Sequence, residues 1–292
     1  MMRLSEPKYT VEQAVDKCIE GITGNNVLKE KVLLSKLILV QGGGRYLESA
    51  EVGKLIEIVA LDVRAPDDLA VVNQLTKGDL IKLYDNYFSK IKKPARDIYD
   101  SLLNSALERC PFCGGIGIPR NLDHFLPKSI FPQFSILPGN LVPSCLDCNL
   151  GEKGEGFAQF EEEQIIHPYA ESGHFFDEQW IFARYKESGD GSPGVFDYYV
   201  APPGHWSAVD KARVAAHFVK FGLGKRFSIK AAEGLGTNLK QIERMARHGL
   251  SEQDVCEVLL QPGIDEAPFV NHWQRGKYQA LAEHVLAGEL LR

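Results

Sequence analysis

Nothing in the sequence approaches the ~20 consecutive apolar residues that a membrane span needs. The densest apolar stretch, Val32 to Val40, is interrupted by Ser35 and Lys36. The N-terminal M-M-R-L-S-E-P-K lacks the apolar core and small-residue cleavage site of a secretory signal. No membrane association is expected, and the expected location is the cytoplasm. Positive charge is also in short supply: 33 Lys and Arg stand against 39 Asp and Glu. A uniformly basic nucleic-acid binder is therefore excluded, and any phosphate-binding face has to be local. There is no internal repeat and no low-complexity tail. The glycine triplet Gly42–Gly44 is not followed by the Lys-Ser/Thr of a phosphate loop, so it is read with Gln41 as an ordinary loop. Cysteine is scarce at six residues, yet four of them fall into two Cys-x-x-Cys pairs. In a reducing compartment that pattern favours a metal over disulfides.

Apolar residues make up 44% of the chain and charged ones 25%, the balance of an ordinary soluble fold. Val11, Val15, Cys18, Ile19 and Ile22 follow helical spacing, and Thr10 with Gln13 suits a capping box. Gly24-Asn25-Asn26 breaks the run, and a second amphipathic stretch covers 27–39. Helical spacing resumes over 48–62 and 78–91, and Pro94 opens a helix through Leu107. The acidic segment 155–164 continues or follows a helix, which His167-Pro168-Tyr169 ends. Aromatic and β-branched runs over 175–200, split by turn residues 188–194, read as strands that form a β-hairpin. Helical patterning returns from Ser207. Cys18 and Cys256 lie alone in helical stretches and read as buried apolar residues. The expected class is α+β and mostly helical, in three parts: a helical region 1–107, a metal-bearing core 108–160, and a C-terminal region 161–292 with the hairpin and further helices.

Charge is unevenly spread. Residues 151–180 hold eight acids against Lys153, whereas residues 211–250 hold nine basic side chains against Glu233 and Glu243. A phosphate-binding face would draw on the latter segment; a solvated helix face would look the same.

The chemistry concentrates between Cys110 and Lys153. Cys110/Cys113 and Cys145/Cys148 can supply four thiolates from two turns, which is the donor set of a closed, structural zinc site. Gly114 and Gly115 permit the positive φ that such turns need. Inside this frame lie Asp123 and His124, at the end of an expected strand, and Asn140-Leu-Val-Pro143, a second one. An expected helix from Cys145 carries Asn149 and Lys153, which an i,i+4 spacing puts on one face. Asp and Asn oxygens suit a hard cation such as Mg2+, and a neutral histidine beside them can take a proton from water. That is equipment for metal-assisted phosphodiester hydrolysis.

The run D-H-F-L-P-K-S, then N-L-V-P, then C-x2-C-N-x3-K resembles the HNH (ββα-metal) endonuclease motif in its four-cysteine variety. The resemblance implies a ββα-metal core, His124 as general base, and Asp123 and Asn149 as ligands of a catalytic Mg2+ or Mn2+. It also implies that Asn140 braces the loop between the strands and that Lys153 lies near the scissile phosphate. Asn149 stands where the family's last histidine usually is, which points to a hard ion instead of zinc. DNA is the implied substrate, with RNA open. The flanks are similar to long HNH subunits that accompany an ATPase in Septu-like anti-phage defence, so such a partner is a further expectation. Two alternatives share the same residues: a restriction-type nuclease acting alone, and a catalytically silent zinc-ribbon subunit that docks nucleic acid or protein. Asp147, His167 and His174 are near enough in sequence to approach the site, though each also suits a surface or capping role.

Overall fold

The computed structural model describes residues 1–154, 156–189 and 192–288. The chain folds as two compact units, one of Arg3–Ser172 and the other of Met1–Met2 with the chain from Gly173 on. About half of it is helical and its sheets are small, two-stranded and antiparallel. The fold is thus α+β.

The first unit begins with α1 (Val11–Gly21), where Thr10 and Gln13 form the expected capping box at 3.2 and 2.9 Å. Next, α2 (Asn26–Glu51) runs straight through the glycine triplet that the sequence suggested would be a loop. Its buried face is Leu28, Val32, Ser35, Leu39, Gly43, Tyr46 and Ala50, an unbroken 3-and-4 spacing. Each interior glycine costs about 1 kcal/mol relative to alanine, and Gly43 shows what offsets it. A Cβ there would sit 3.1 Å from side-chain carbons of both Val11 and Leu137, so only glycine lets these segments approach. Gly42 and Gly44 face open space, and nothing in the packing explains them.

The helical run expected over 48–62 stops at Glu51, because Gly53 takes φ +70° and only a 3-10 turn, Leu55–Glu57, follows. A hairpin that the sequence did not suggest, β1 (Ala70–Val72) with β2 (Leu75–Thr76), turns at Asn73 with φ 51°. Then α3 (Lys77–Lys82) winds on as a π-helix, Leu83–Phe88. Its successor α4 (Arg96–Asn104) ends short of Leu107, since Leu107 and Glu108 both take positive φ. The central pair follows: β3 (Asn121–His124) lies antiparallel to β4 (Leu141–Ser144), with His124 opposite Leu141 and Asn121 opposite Ser144. Val15, Cys18, Val32, Leu39, Leu80, Phe88, Ile98, Leu122 and Leu141 belong to one apolar core. The N-terminal helices and the central strands therefore stand on the same hydrophobic support. The acidic segment 155–164 makes only a 3-10 turn at Glu161–Glu163; Glu155 lies outside the described residues.

In the second unit Phe175 and Phe176, expected in a strand, lie in the one-turn helix α5 (His174–Asp177). The hairpin is β5 (Ile181–Lys186) with β6 (Val195–Val200), in register from Ile181↔Val200 to Lys186↔Val195. It is followed by α6 (Ala208–Lys220), α7 (Leu223–Ala232) and α8 (Leu235–Arg247). The chain then makes the short helices α9 (Glu252–Val255) and α10 (Gln261–Asp265) and the long α11 (Trp273–Leu286). Helix α11 packs on β5 and α7 on β6. Among the described residues no helix is long and apolar enough to cross a membrane.

Asn271 pins the strand entry of this unit. Its Oδ1 accepts from Trp180 N and Ile181 N at 2.8 and 3.1 Å, and its Nδ2 donates to Glu178 O at 2.9 Å, with the side chain buried. Asn271→Leu would strand two buried backbone donors at a cost of about 2–4 kcal/mol. Urea unfolding followed by tryptophan fluorescence should show that loss as a lower midpoint with an unchanged slope.

Candidate active site and metal centre

Two turns bring the paired cysteines together. Cys110 N donates to Gly117 O at 3.0 Å and Gly115 N donates to Cys110 O at 2.9 Å. Gly114 and Gly115 take φ +62° and +83°, the conformation those turns require. All four cysteines are buried, and their sulfurs lie within 4.8 Å of one another. A tetrahedron of ~2.3 Å zinc–sulfur bonds has edges of about 3.8 Å. Cys113 Sγ and Cys145 Sγ are 3.9 Å apart, so the frame fits a zinc ion with little adjustment. Gly117 N donates to Cys113 Sγ at 3.3 Å, supporting negative charge on that sulfur. Hydrogen bonding within the cluster lowers the Cys113 thiol and raises those of Cys110 and Cys148, so the four sulfurs titrate as one group. Gly117 itself was not singled out in the sequence. A Cβ there would lie 2.6 Å from Cys145 Cβ, so the position has no room for a side chain.

The strand pair beside this frame presents Asp123 and His124. His124 is buried, and its Nε2 is 2.9 Å from the carbonyl oxygen of Ser135. A carbonyl can only accept, so Nε2 carries the proton and Nδ1 keeps its lone pair. Nδ1 has no hydrogen-bond partner among the described residues. The Tyr84 ring meets the imidazole edge-on at 4.4 Å and fixes its plane. Burial pushes His124 down to about 3, against the Ser135 carbonyl and with help from the Lys128 and Lys153 charges. The ring is therefore neutral across the physiological range.

Asp123 is 6% exposed, and burial raises its carboxyl to about 6 although Lys153 pulls the other way. Lys153 is itself buried. Its side chain turns inward, donating to His124 O at 2.8 Å and standing 3.1 Å from Asp123 Oδ2. That ammonium meets Oδ2 as an ion pair without the alignment of a hydrogen bond, and Oδ2 has no directed donor. A buried carboxylate oxygen without a directed donor, next to an amide-bearing turn, fits a hard divalent cation. Asn149 is half-buried on the π-helical turn Asp147–Lys153 that carries Lys153. Its backbone is held by Asn149 N to Cys145 O at 3.0 Å and Gly154 N to Asn149 O at 2.8 Å. Its side-chain amide has no hydrogen-bond partner among the described residues.

Asn140 uses its whole side chain. Oδ1 accepts from Leu126 N at 2.8 Å and from Tyr46 Oη at 2.9 Å, while Nδ2 donates to Leu126 O and Phe134 O at 3.1 and 3.2 Å. Both ends of the loop between the strands are thereby tied to one amide, next to the Ser135 carbonyl that holds His124. Behind it, Tyr169 N donates to His167 Nδ1 at 3.3 Å, so His167 Nε2 carries the proton toward Tyr46 Oη, 3.2 Å away. His167 is fully buried and belongs to this brace; His174 belongs to the other unit, and Asp147 is exposed. Tyr46, Ser135 and Tyr84 were not foreseen. Reading the glycine triplet as a loop hid the helical register that makes Tyr46 buried.

The chain is 38% identical over 292 aligned positions to protein ea31 of Escherichia phage lambda, covering 97% of each sequence. No family model matches the chain, and no solved structure does.

Two outcomes check the geometry. The purified chain should contain one zinc per molecule by elemental analysis, and Gly117→Ala should lower both that ratio and the melting temperature. Separately, the His124 ring signals in a zinc-loaded sample should stay at neutral-imidazole positions from pH 8 to pH 5, where a solvated histidine titrates near 6.5.

Proposed function

We propose that this chain, which belongs to the family of phage lambda protein ea31, is a metal-dependent endonuclease with a zinc-stapled HNH-type core. The observation that carries the reading is His124. It is a buried neutral imidazole, locked by Ser135 with its Nδ1 lone pair uncommitted, one residue from a buried carboxylate. The order of Asp123, His124 and Asn140 within the cysteine frame, with Asn149 directly after its last cysteine, supports the same reading.

In this mechanism a phosphodiester of DNA is placed with its phosphorus in line with a water at His124 Nδ1. As the water attacks, Nδ1 takes its proton and Nε2–H keeps its bond to Ser135 O, which stabilises the imidazolium that forms. Asn140 holds the loop, and therefore Ser135, at the distance this requires. Lys153 offsets the charge of Asp123 and fixes the His124 backbone through its carbonyl. A divalent Mg2+ or Mn2+ held by Asp123 and Asn149 would supply Lewis acidity for the developing phosphorane charge and the departing oxygen. The zinc frame has no open ligand position and so contributes rigidity, on the order of 10–16 kcal/mol in zinc-finger peptides. The ATPase partner and defence role are not needed by this reading.

The inward Lys153 favours a second reading, a silent zinc-stapled module in which the ammonium permanently occupies Asp123. Plasmid nicking with Mg2+ or Mn2+ separates the two. The parent should nick, and His124→Ala at equal zinc content should be slower by ~10²–10⁴-fold. Equal rates in both proteins would defeat the assignment of His124, and DNA binding without any nicking would favour the silent module.

A further inference from the structure

The basic segment 211–250 takes no part in the proposed chemistry, yet it lines a cavity of about 490 Å3 within the second unit, among α7, α8 and α11. Four features of this cavity converge on one class of ligand. The first is Asn238, 9% exposed, which lines the cavity while neither its amide nitrogen nor its amide oxygen has a hydrogen-bond partner among the described residues. That amide opens onto the cavity, where polar atoms of a ligand can take the place of water on it. The second is the start of α8, a helix of 13 residues. Its cap is Gly234 at φ 71°, with no side chain capping the first turn, so that turn's free N–H groups and positive dipole end stand at the cavity wall.

The third feature is cationic. Lys230 and Lys277 both line the cavity; Lys277 is 3% exposed and donates to Glu233 O at 2.8 Å, which holds its charge inside. Lys230 also pairs with Glu233, so this wall carries two ammonium groups against one carboxylate, a net of one positive charge that the two lysines share. The fourth is aromatic: Trp273 and Tyr278 supply flat, half-exposed ring surface at the same wall. A free-anion site needs only the first three; the rings add surface for a planar group, and stacking on such rings is how bases are held without sequence preference. The volume suits one nucleotide-sized molecule.

We propose that this cavity binds a nucleoside monophosphate group, with the phosphate at the α8 N-terminus against Lys230 and Asn238 and the base against Trp273. The group belongs either to a free nucleotide or to the phosphorylated end of a strand. The site does not depend on the nuclease reading of the first unit.

Isothermal titration of the full zinc-loaded chain tests it, with adenosine monophosphate, adenosine, and a short oligothymidylate with and without a 5′-phosphate as probes. Adenosine monophosphate should bind at least roughly tenfold more tightly than adenosine, the worth of charge-assisted hydrogen bonds to the phosphate. Lys230→Gln and Asn238→Asp should each weaken it by a similar factor while leaving zinc content and melting temperature unchanged. Lys230 is part-exposed, so its variant remains decisive if Asn238→Asp folds poorly. Tighter binding of the 5′-phosphorylated oligothymidylate than of the mononucleotide would support the site and identify a strand end; the reverse order would support it and identify a free nucleotide. Equal binding of adenosine and its monophosphate, no binding of either, or parent-like binding by Lys230→Gln would overturn the proposal.

Discussion

A carboxylate and an ammonium buried together, Asp123 and Lys153 at 3.1 Å, are what the rest of the first unit is arranged to tolerate. Taking both groups out of water costs several kcal/mol each, and their attraction repays that only if the remaining polar atoms are satisfied. Lys153 meets the condition by also bonding His124 O, whereas Asp123 meets it incompletely, with Oδ2 left without a directed donor. The carboxyl raised to about 6 and the histidine lowered to about 3 share one main cause, the removal of water. Any account of the site's chemistry begins from that dryness.

The dryness in turn requires rigid walls. On one side the four-cysteine frame closes the turns that lead into β3 and out of β4, because Cys110 precedes the first strand and Cys145 follows the second. On the other, Leu122 and Leu141 join the apolar core of α1, α2 and α4. Asn140 spans the middle, and its four hydrogen bonds leave the loop no alternative arrangement without unsatisfied groups. Clustered thiols, apolar packing and one amide thus restrain the same short strand pair by independent means.

What could be read in the sequence was local. The Cys-x-x-Cys spacing placed the sulfurs, the runs at Asp123-His124 and Asn140–Pro143 placed β3 and β4 to within a residue, aromatic and β-branched runs split by turn residues placed the later hairpin, and Thr10 with Gln13 placed the first helix start. What could not be read was set by contacts distant in sequence. Nothing local says that Gly43 is pressed between Val11 and Leu137, so the triplet looked like a loop. Nothing local says that Lys153 turns toward a carboxylate 30 positions earlier, or that Tyr46 caps an asparagine 94 positions later. Phe175 and Phe176 carry β-type side chains, but tertiary packing made a helical turn of them. The candidate residues were legible as a set; their mutual orientation was not.

One long helix gives these pieces a mechanical relation. With 26 residues α2 is a rod of about 39 Å, clamped near its start by Leu28 and Val32 in the apolar core and near its end by the Tyr46 hydroxyl at Asn140. A rod held at two points converts a tilt at one into a displacement at the other. Strain introduced among the N-terminal helices therefore reaches the loop that holds His124 through the Tyr46 hydroxyl and through the close approach of Gly43 to Leu137.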